Sequence, residues 1–545
     1  MISPPPRREH APSVAIVGAG PGGLATAIML AAAGARVTIY ESQPQVGGRT
    51  GRVELAAADG RVFRFDRGPT FFLMPHVLAE VFAAAGARLE DHAELIRLDP
   101  MYRLLIGRPG EPPTRLETTQ DVGEMSRRLA AISEHDGRNF ERFIADSRAK
   151  LRLSGPILRN AMRSPLDVAR ATSPALLPML KPHKSVHGLL GEYFTDERTK
   201  LAVGFQSKYL GMSPYDCPSL FTILPIIEYE YGVWHPIGGC GGLMRAMAGL
   251  AESVGADIRL NTPVERLSFE GRRADGVVVD GQREPHDAVV VNADATWALK
   301  NLVPAELRTG PARGVSDEAI ERKRYSCSTV MLYLGLDGAV DLPHHTIYTS
   351  ASYRDNLDAI ASGERLPDDP SMYVCNPAVT DPSLAPPGGT PLYVLIPSPN
   401  LAQAGSTDWT AETQRLRAIA FRQLERVFGV DRPEQRVVCE QTLDPTGWAA
   451  MNINRGATFN LGHQLTQMLH RRPQNRLKGF DNLYLAGGGT HPGSGLPTIF
   501  LSSQISTALA CQDLGLPNPL ERGEPASTAP ETALPGAAAA PVAPA

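Results

Sequence analysis

The chain has 545 residues and 58.6 kDa, with 54 Lys+Arg against 58 Asp+Glu, a formal net charge of −4, 43% hydrophobic and 21% charged residues. That length exceeds one ordinary single-core domain and predicts two intertwined or sequential domains with room for a large buried site. The near-neutral balance argues against a strongly basic nucleic-acid protein. The six cysteines (Cys217, Cys240, Cys327, Cys375, Cys439, Cys511) stand apart without a C-x-x-C; neither a metal cluster nor a disulfide scaffold is expected, and a reducing cytoplasm fits best.

In chain order, residues 1–12 carry three consecutive prolines and no apolar h-region, and read as a disordered leader rather than a secretory signal. Val14-Ala-Ile-Val17 predicts a buried strand, the alanine-rich stretch up to Ala33 a helix closed by Gly34, and Arg36-Val-Thr-Ile-Tyr40 a second strand ending on Glu41. This is a βαβ unit, the usual opening of a doubly wound nucleotide domain. The apolar run 24–33 is about half of what a membrane span requires. Residues 60–70 predict strands and roughly 76–205 helices. A second αβ block, 239–292, places a helix at 243–254 and strands at 257–260, 264–267, 276–279 and 288–292. Strands return at 329–336 and 391–396, and the run Asn482-Leu-Tyr-Leu-Ala-Gly487 is a strand entering a glycine loop and a helix at 498–510. Beyond about Leu516 the Pro/Ala-rich chain cannot bury enough surface to offset ordering entropy, so a tail is expected there.

Gly18-Ala-Gly20-Pro-Gly-Gly23 falls at the strand–helix turn. Gly18 permits the tight turn, Gly20 lets backbone N–H groups approach a pyrophosphate, and Gly23 lets helix and strand pack closely, with the helix N-terminus facing the negative charge. Glu41, 18 residues after Gly23, can accept hydrogen bonds from ribose hydroxyls, which argues for FAD or NAD rather than a 2′-phosphate. The following Gly47-Gly48-Arg49-Thr50 adds a second close backbone approach and a cation, which a long flavin dinucleotide needs and a nicotinamide nucleotide does not.

These residues resemble the glutathione-reductase-like flavoproteins of the amine-oxidase and carotenoid-desaturase branch. Phe65-Asp66-Arg67-Gly68-Pro69-Thr70 with Met74-Pro75 is similar to the F-D-x-G-P-T segment of bacterial carotenoid desaturases, and Gly487-Gly-Gly-Thr490-His491-Pro492-Gly493-Ser-Gly495-Leu-Pro497 to that family's C-terminal hallmark. Gly232-Val-Trp-His-Pro-Ile-Gly238-Gly239, Tyr325-Ser-Cys-Ser, Asp381-Pro-Ser-Leu-Ala-Pro and Arg472-Pro473-Gln-Asn475 match as well, so the resemblance runs over roughly 13–515. It implies an α/β fold: a Rossmann-type FAD-binding domain built from the discontinuous segments 13–100, 232–300 and 471–515, with a mixed α+β substrate domain, 101–231 and 301–470, that includes a helical membrane-facing part; residues 1–12 and 516–545 are disordered. It further implies that Gly18, Gly20, Gly23, Glu41, Gly48, Arg49, Gly68, Pro69, Thr70, Val264, Gly487, Gly488, Thr490, Gly495 and Pro497 bind FAD, Val264 through its backbone on the adenine side. A buried-strand valine would look the same without that role. Pro218-Ser219-Leu220, Ile226-Ile227-Glu228 and Met74-Pro75 look more like the 4,4′-diapophytoene (C30) desaturases than the C40 enzymes.

The implied activity is hydride transfer from a CH₂–CH₂ unit of phytoene or 4,4′-diapophytoene to flavin, in carotenoid biosynthesis, with oxygen or a quinone as final acceptor. Asp167 and Arg170, at i and i+3 of one helical face, match an Asp-x-x-Arg position of the family, and His491 is a candidate general base; a surface ion pair and a loop-shaping histidine are the plain alternatives. Residues 148–184 hold eight Lys/Arg against the one acid Asp167, interleaved with apolar side chains. A C30 hydrocarbon costs on the order of 20 kcal/mol to carry through water at ~0.8 kcal/mol per carbon, so this stretch is expected to dock peripherally on the inner face of the cell membrane. A homo-oligomer is compatible with all of this. Relatives with the same flavin site oxygenate terminal methyl groups of C30 carotenoids or isomerise cis-carotenes, a carotenoid-binding flavoprotein would keep the same loops, and an amine oxidase is disfavoured by the T-H-P-G-x-G-x-P loop.

Overall fold

The computed structural model describes residues 11–521. Its nucleotide half is a parallel five-stranded sheet in the order Leu483–Leu485, Ala288–Val291, Ser13–Val17, Arg36–Tyr40, Asp257–Arg259. Three separated pieces of chain therefore build one sheet. Val14, Ala15, Ile16 and the whole of Ala288–Val291 are buried, which is why these strands read as continuous apolar runs rather than alternating ones. The helix Pro21–Ala32 lies between the helices Gly239–Ser253 and Leu496–Leu514. Its alanines allow that approach, and Ala25, Ala27 and Ala31 are buried in the same core cluster as Met244, Met247 and Leu501.

The other half is a seven-stranded sheet ordered Val437–Leu443, Ser328–Asp337, Gly389–Ser398, Met372–Cys375, His345–Thr349, Tyr102–Arg108, Glu111–Thr118. All neighbours are antiparallel except His345–Thr349 against Tyr102–Arg108. The pair 102–118 corrects the helical expectation for 76–205. Those residues form a hairpin whose first strand is completed by pairing with residues 346–349, a long-range contact that local periodicity does not encode. Helices do occupy most of the remainder, from Val122–Ala130 and Glu134–Arg159 onward. The strand expected at 264–267 begins two residues later, as Arg266–Glu270.

At the C-terminal end, packed structure continues past the expected boundary at 515. Leu516 is buried and Leu520 packs against the main core, because the helix ending at Leu514 is closed by Gly515 in the left-handed conformation and the chain folds back. Most of the expected leader and tail lie outside the described residues. No helix among the described residues is long and apolar enough to cross a membrane.

Candidate flavin and substrate cavity

The glycine turn is shaped by steric contact. A Cβ on Gly23 would lie 2.1 Å from the Gly18 carbonyl oxygen, and one on Gly20 2.9 Å from Asn292 Nδ2. Gly18 itself has φ +99°, which favours glycine. Asn292, at the end of the neighbouring strand, donates from Nδ2 to the Gly18 carbonyl (3.2 Å). Glu41 is buried: one carboxylate oxygen accepts from Ala19 N–H (2.7 Å) and the other from Gln43 N–H (2.8 Å). The acid thus braces the turn from the end of the second strand as well as facing the cavity.

The F-D-x-G-P-T segment does three separate things. Asp66 accepts from Cys240 and Gly241 N–H (3.0 and 2.8 Å), capping the helix Gly239–Ser253 where its dipole favours an anion. A Cβ on Gly68 would meet the Arg49 carbonyl oxygen at 2.7 Å, so this glycine lets the two flavin-side loops touch. Three tyrosines of the seven-stranded sheet then hold the segment: Tyr333 and Tyr393 donate to the Arg67 and Gly68 carbonyls (2.5 and 2.7 Å), and the Tyr373 hydroxyl lies 2.7 Å from Thr70 Oγ1. Arg49 donates to the Thr458 carbonyl (2.9 Å). Burial pushes its guanidinium pKa down, opposed by the nearby Asp294 carboxylate.

The C-terminal glycine loop is carried by Arg472, which is 2% exposed. Its guanidinium donates to the carbonyls of Gly488 (2.7 Å), Thr490 (3.1 Å), Leu461 (3.2 Å) and Gly462 (3.3 Å). Burial brings its pKa down to about 9. Asn475 donates to the His491 carbonyl and to Ser502 and Ser506 of the C-terminal helix, fixing where that helix N-terminus points.

These pieces enclose a cavity of about 2510 Å³, counting solvent at its openings. Gly18, Gly20, Glu41, Gly48, Arg49, Gly68, Pro69, Thr70, Val264, Gly487, Gly488, Gly495 and Pro497 all line it. Gly23 and Thr490 stand behind the wall, the first by close packing and the second through its carbonyl bond to Arg472. The cavity continues into an apolar end walled by Phe71, Leu73, Phe205, Tyr209, Ile347 and Met372. A loop cradle with no room for side chains, two helix N-termini and a brace for ribose fit a flavin dinucleotide, and the apolar end fits a hydrocarbon.

The expected catalytic groups are placed elsewhere. Asp167 and Arg170 sit on the short helix Pro165–Ala171, none of whose residues is buried and none of which lines the cavity; the Asp167 carboxylate lies 3.0 Å from Ser164 Oγ at the helix start. His491 is buried and also off the cavity wall. Its Nε2 lies 3.1 and 3.0 Å from the Ile157 and Asn160 carbonyls, so Nε2 carries the proton. Burial, opposed by those bonds, lowers its pKa to about 4. It bolts the glycine loop to the end of the helix Glu134–Arg159 and is not positioned as a base.

Sequence reading named Glu228 only within the Ile226-Ile227-Glu228 stretch and missed that its carboxyl is buried beside the cavity. Glu228 accepts from the hydroxyls of Tyr209 and Tyr102 (both 2.7 Å) and from Gln206 Nε2 (3.1 Å). Burial raises its pKa to about 7 despite those three bonds. Tyr209 lines the cavity. The carboxylates on the wall itself are otherwise engaged, Glu41 by amides and Asp294 as the cap of the helix Ala295–Asn301.

Residues 21–506 match the family of flavin containing amine oxidoreductases. The chain belongs to that family. Within it, this oxidoreductase stands among the carotenoid desaturases. It is 39% identical over 506 residues to a 4,4′-diapophytoene desaturase (4,4′-diapolycopene-forming) of Methylomonas sp, with 92% of this chain and 95% of that one covered. It is 39% identical over 509 residues to the all-trans-zeta-carotene desaturase of Myxococcus xanthus, covering 92% and 94%, and 32% identical over 511 residues to a 4,4′-diapophytoene desaturase of Staphylococcus aureus, covering 92% and 99%. Among solved structures the oxidoreductase resembles a putrescine oxidase bound to putrescine (TM-score 0.58, 16% identity, 93% and 99% covered) and an oxidoreductase from Methanosarcina mazei (TM-score 0.60, 17% identity, 90% and 98% covered), a likeness of fold.

Proposed function

We propose that this oxidoreductase is an FAD-dependent desaturase of a long linear polyene precursor, phytoene or 4,4′-diapophytoene. The observation that carries the reading is the continuity of the cavity: the glycine cradles open directly onto a wall of Phe71, Leu73, Phe205 and Ile347, so a dinucleotide and a hydrocarbon share one space. Gly18, Gly20, Glu41 and Arg49 would hold the dinucleotide end, and Gly68 to Thr70 with Gly487 to Gly495 the ring end. Bound there, FAD supplies the hydride acceptor for a CH–CH oxidation.

The chain's own part is to bury the polyene, keep water out and take the proton left on the neighbouring carbon. Tyr209 and Glu228 fit that last role: the tyrosine oxygen receives the proton as its own passes to the carboxylate 2.7 Å away, and a carboxyl with a pKa about 7 is matched to the task near neutrality. Hydride and proton leave the two carbons together, so the C=C bond balances.

Delivery from a membrane surface is supported by exposed Leu166 and Leu177 beside exposed Arg152, Arg163 and Arg170. The basic character of 148–184 is smaller than its composition suggests. Arg148 pairs with Glu230, Arg159 with Glu80, and Lys181 and Lys184 both with Glu192, while Lys150 is buried against Thr222, its pKa lowered by burial to about 8.

The test is purified protein plus FAD with phytoene or diapophytoene in liposomes, read by product absorbance and mass. A product lighter by pairs of hydrogens is expected. Unchanged mass with an altered spectrum points to isomerisation, and gained oxygen on a C30 polyene to terminal-methyl oxygenation; either result overturns the desaturase reading.

A further inference from the structure

Behind the cavity wall lies a cluster that the flavin chemistry does not use. In the antiparallel pairing of His345–Thr349 with Met372–Cys375, His345 stands directly opposite Cys375, so the two side chains rise from the same face of the sheet. His344 immediately precedes that strand. One ring nitrogen from each histidine and the Cys375 sulfur all lie within 4.8 Å of one another, and all three residues are buried, at 5%, 0% and 1% exposure.

The hydrogen bonds around the rings leave one nitrogen of each free. His344 Nδ1 lies 2.8 Å from Thr380 Oγ1 and His345 Nδ1 2.7 Å from the Tyr373 hydroxyl. With the proton on Nδ1, each Nε2 presents a lone pair, and neither Nε2 has a hydrogen-bond partner. Buried polar atoms in a folded protein are nearly always paired. Two imidazoles gathered with a thiol, each with one unpaired nitrogen and the other steadied by an oxygen, can turn to hold a metal as histidines do elsewhere.

We propose that His344, His345 and Cys375 bind one Zn²⁺ ion. Two imidazoles and a thiolate suit a borderline-soft divalent cation that prefers a tetrahedral shell. Such a shell sets ligand atoms roughly 3.5 Å apart, so the three groups close in by about 1 Å, within the reach of side-chain rotation. The thiol proton leaves as the ion enters, and the ion with its thiolate carries one net positive charge. The nearest carboxylate these contacts reach stands one ring further out: the His344 ring lies 4.6 Å from that of His235, whose Nε2 is 3.2 Å from the Asp381 carboxylate. A water completes the fourth position.

The ion would be structural, and its position says what it stabilises. The ring of His345 stacks on Phe71 at 4.0 Å and 11°, and Tyr373 bridges His345 to Thr70; Phe71 and Thr70 both line the cavity. Zinc would therefore set the stiffness of the wall between the flavin end and the hydrocarbon end.

The experiment uses the full-length, FAD-loaded protein, treated with a chelator, equilibrated with Zn²⁺ alone, freed of excess by gel filtration and analysed for metal. About one Zn²⁺ per chain is expected, falling more than tenfold in Cys375→Ser and in the His344→Gln, His345→Gln pair with flavin content unchanged. Retention of one equivalent by these variants, or wild-type zinc at background, overturns the proposal. Should the variants fail to fold, Co²⁺ added to the wild type decides it: intense tetrahedral bands at wavelengths beyond the flavin absorption support the site, and weak octahedral bands overturn it.

Discussion

Glu228→Gln is the most direct probe of the buried carboxyl beneath the cavity. Its pKa lies at about 7 in the folded chain against the ordinary 4.5, a difference of roughly 2.5 that corresponds to about 3 kcal/mol at 1.36 kcal/mol per unit. The group is fully buried, so solvent screening does not reduce that figure much. Between those two values the folded state binds a proton that the unfolded state has released, and stability falls as pH rises. The contribution is whole below about pH 4.5 and gone above about pH 7. Glutamine titrates nowhere in that range, so the variant gains on the wild type as pH increases. With an unfolding entropy of about 2.1 cal/mol/K per residue, a chain of this size loses roughly 1 kcal/mol per degree, and the gap between the two proteins should move by about 2 °C between pH 5 and pH 8, since part of the contribution is already lost at pH 5. Thermal unfolding of both FAD-loaded proteins in matched buffers measures it, and taking the difference cancels every other titrating group. A gap that stays constant over this range refutes the assignment. The turnover profile supplies an independent reading: wild-type kcat should rise through about pH 7, and that limb should be missing from the variant.

Three further outcomes follow from the site. Gly23→Val sets a side chain where a Cβ already lies 2.1 Å from the Gly18 oxygen, and the purified variant should carry less than about a tenth of the wild-type flavin absorbance per chain; full loading refutes the steric reading. Arg472→Met removes the donor from the Leu461, Gly488 and Thr490 carbonyls; at about 1–3 kcal/mol per buried acceptor the loss is about 3–9 kcal/mol, seen as a lowered Tm and as flavin released at lower denaturant. Reversing Arg152, Arg163 and Arg170 to Glu should cut binding to anionic vesicles at least a hundredfold, from about 1 kcal/mol per basic residue near the surface, and unchanged sedimentation with vesicles removes this face from the membrane reading.

The nucleotide half is legible in sequence because its determinants are local. A glycine turn between an apolar strand and an alanine-rich helix places Gly18, Gly20 and Glu41 without knowledge of anything else, and these three line one cavity while Gly23 packs behind it. The other half is built from register between distant strands. Nothing near residue 102 announces that it will pair beside residue 346, and nothing near Tyr333 or Tyr393 announces that their hydroxyls reach back to Arg67 and Gly68. The place of the expected catalytic pair is hidden from sequence for the same reason: Asp167 and Arg170 have the right spacing on a helix, but only the packing shows that this helix does not line the cavity. Nothing in the local stretch Ile226-Ile227-Glu228 announces that the Glu228 carboxyl is enclosed. Its partners lie 19, 22 and 126 residues away, and its perturbation comes from enclosure rather than from a neighbour in the chain.

The parallel sheet also dictates the order in which this protein can be finished during synthesis. Ser13–Val17 can pair at once with Arg36–Tyr40, yet its other edge waits for Ala288–Val291, and that strand's own edge waits for Leu483–Leu485. An apolar strand with one open edge persists on the ribosome while more than half of the chain is translated, a state prone to mispairing. The loop that closes the ring end of the cavity follows directly on the last strand. The cavity is therefore closed on that side only after Leu483–Leu485 and the loop behind it are in place.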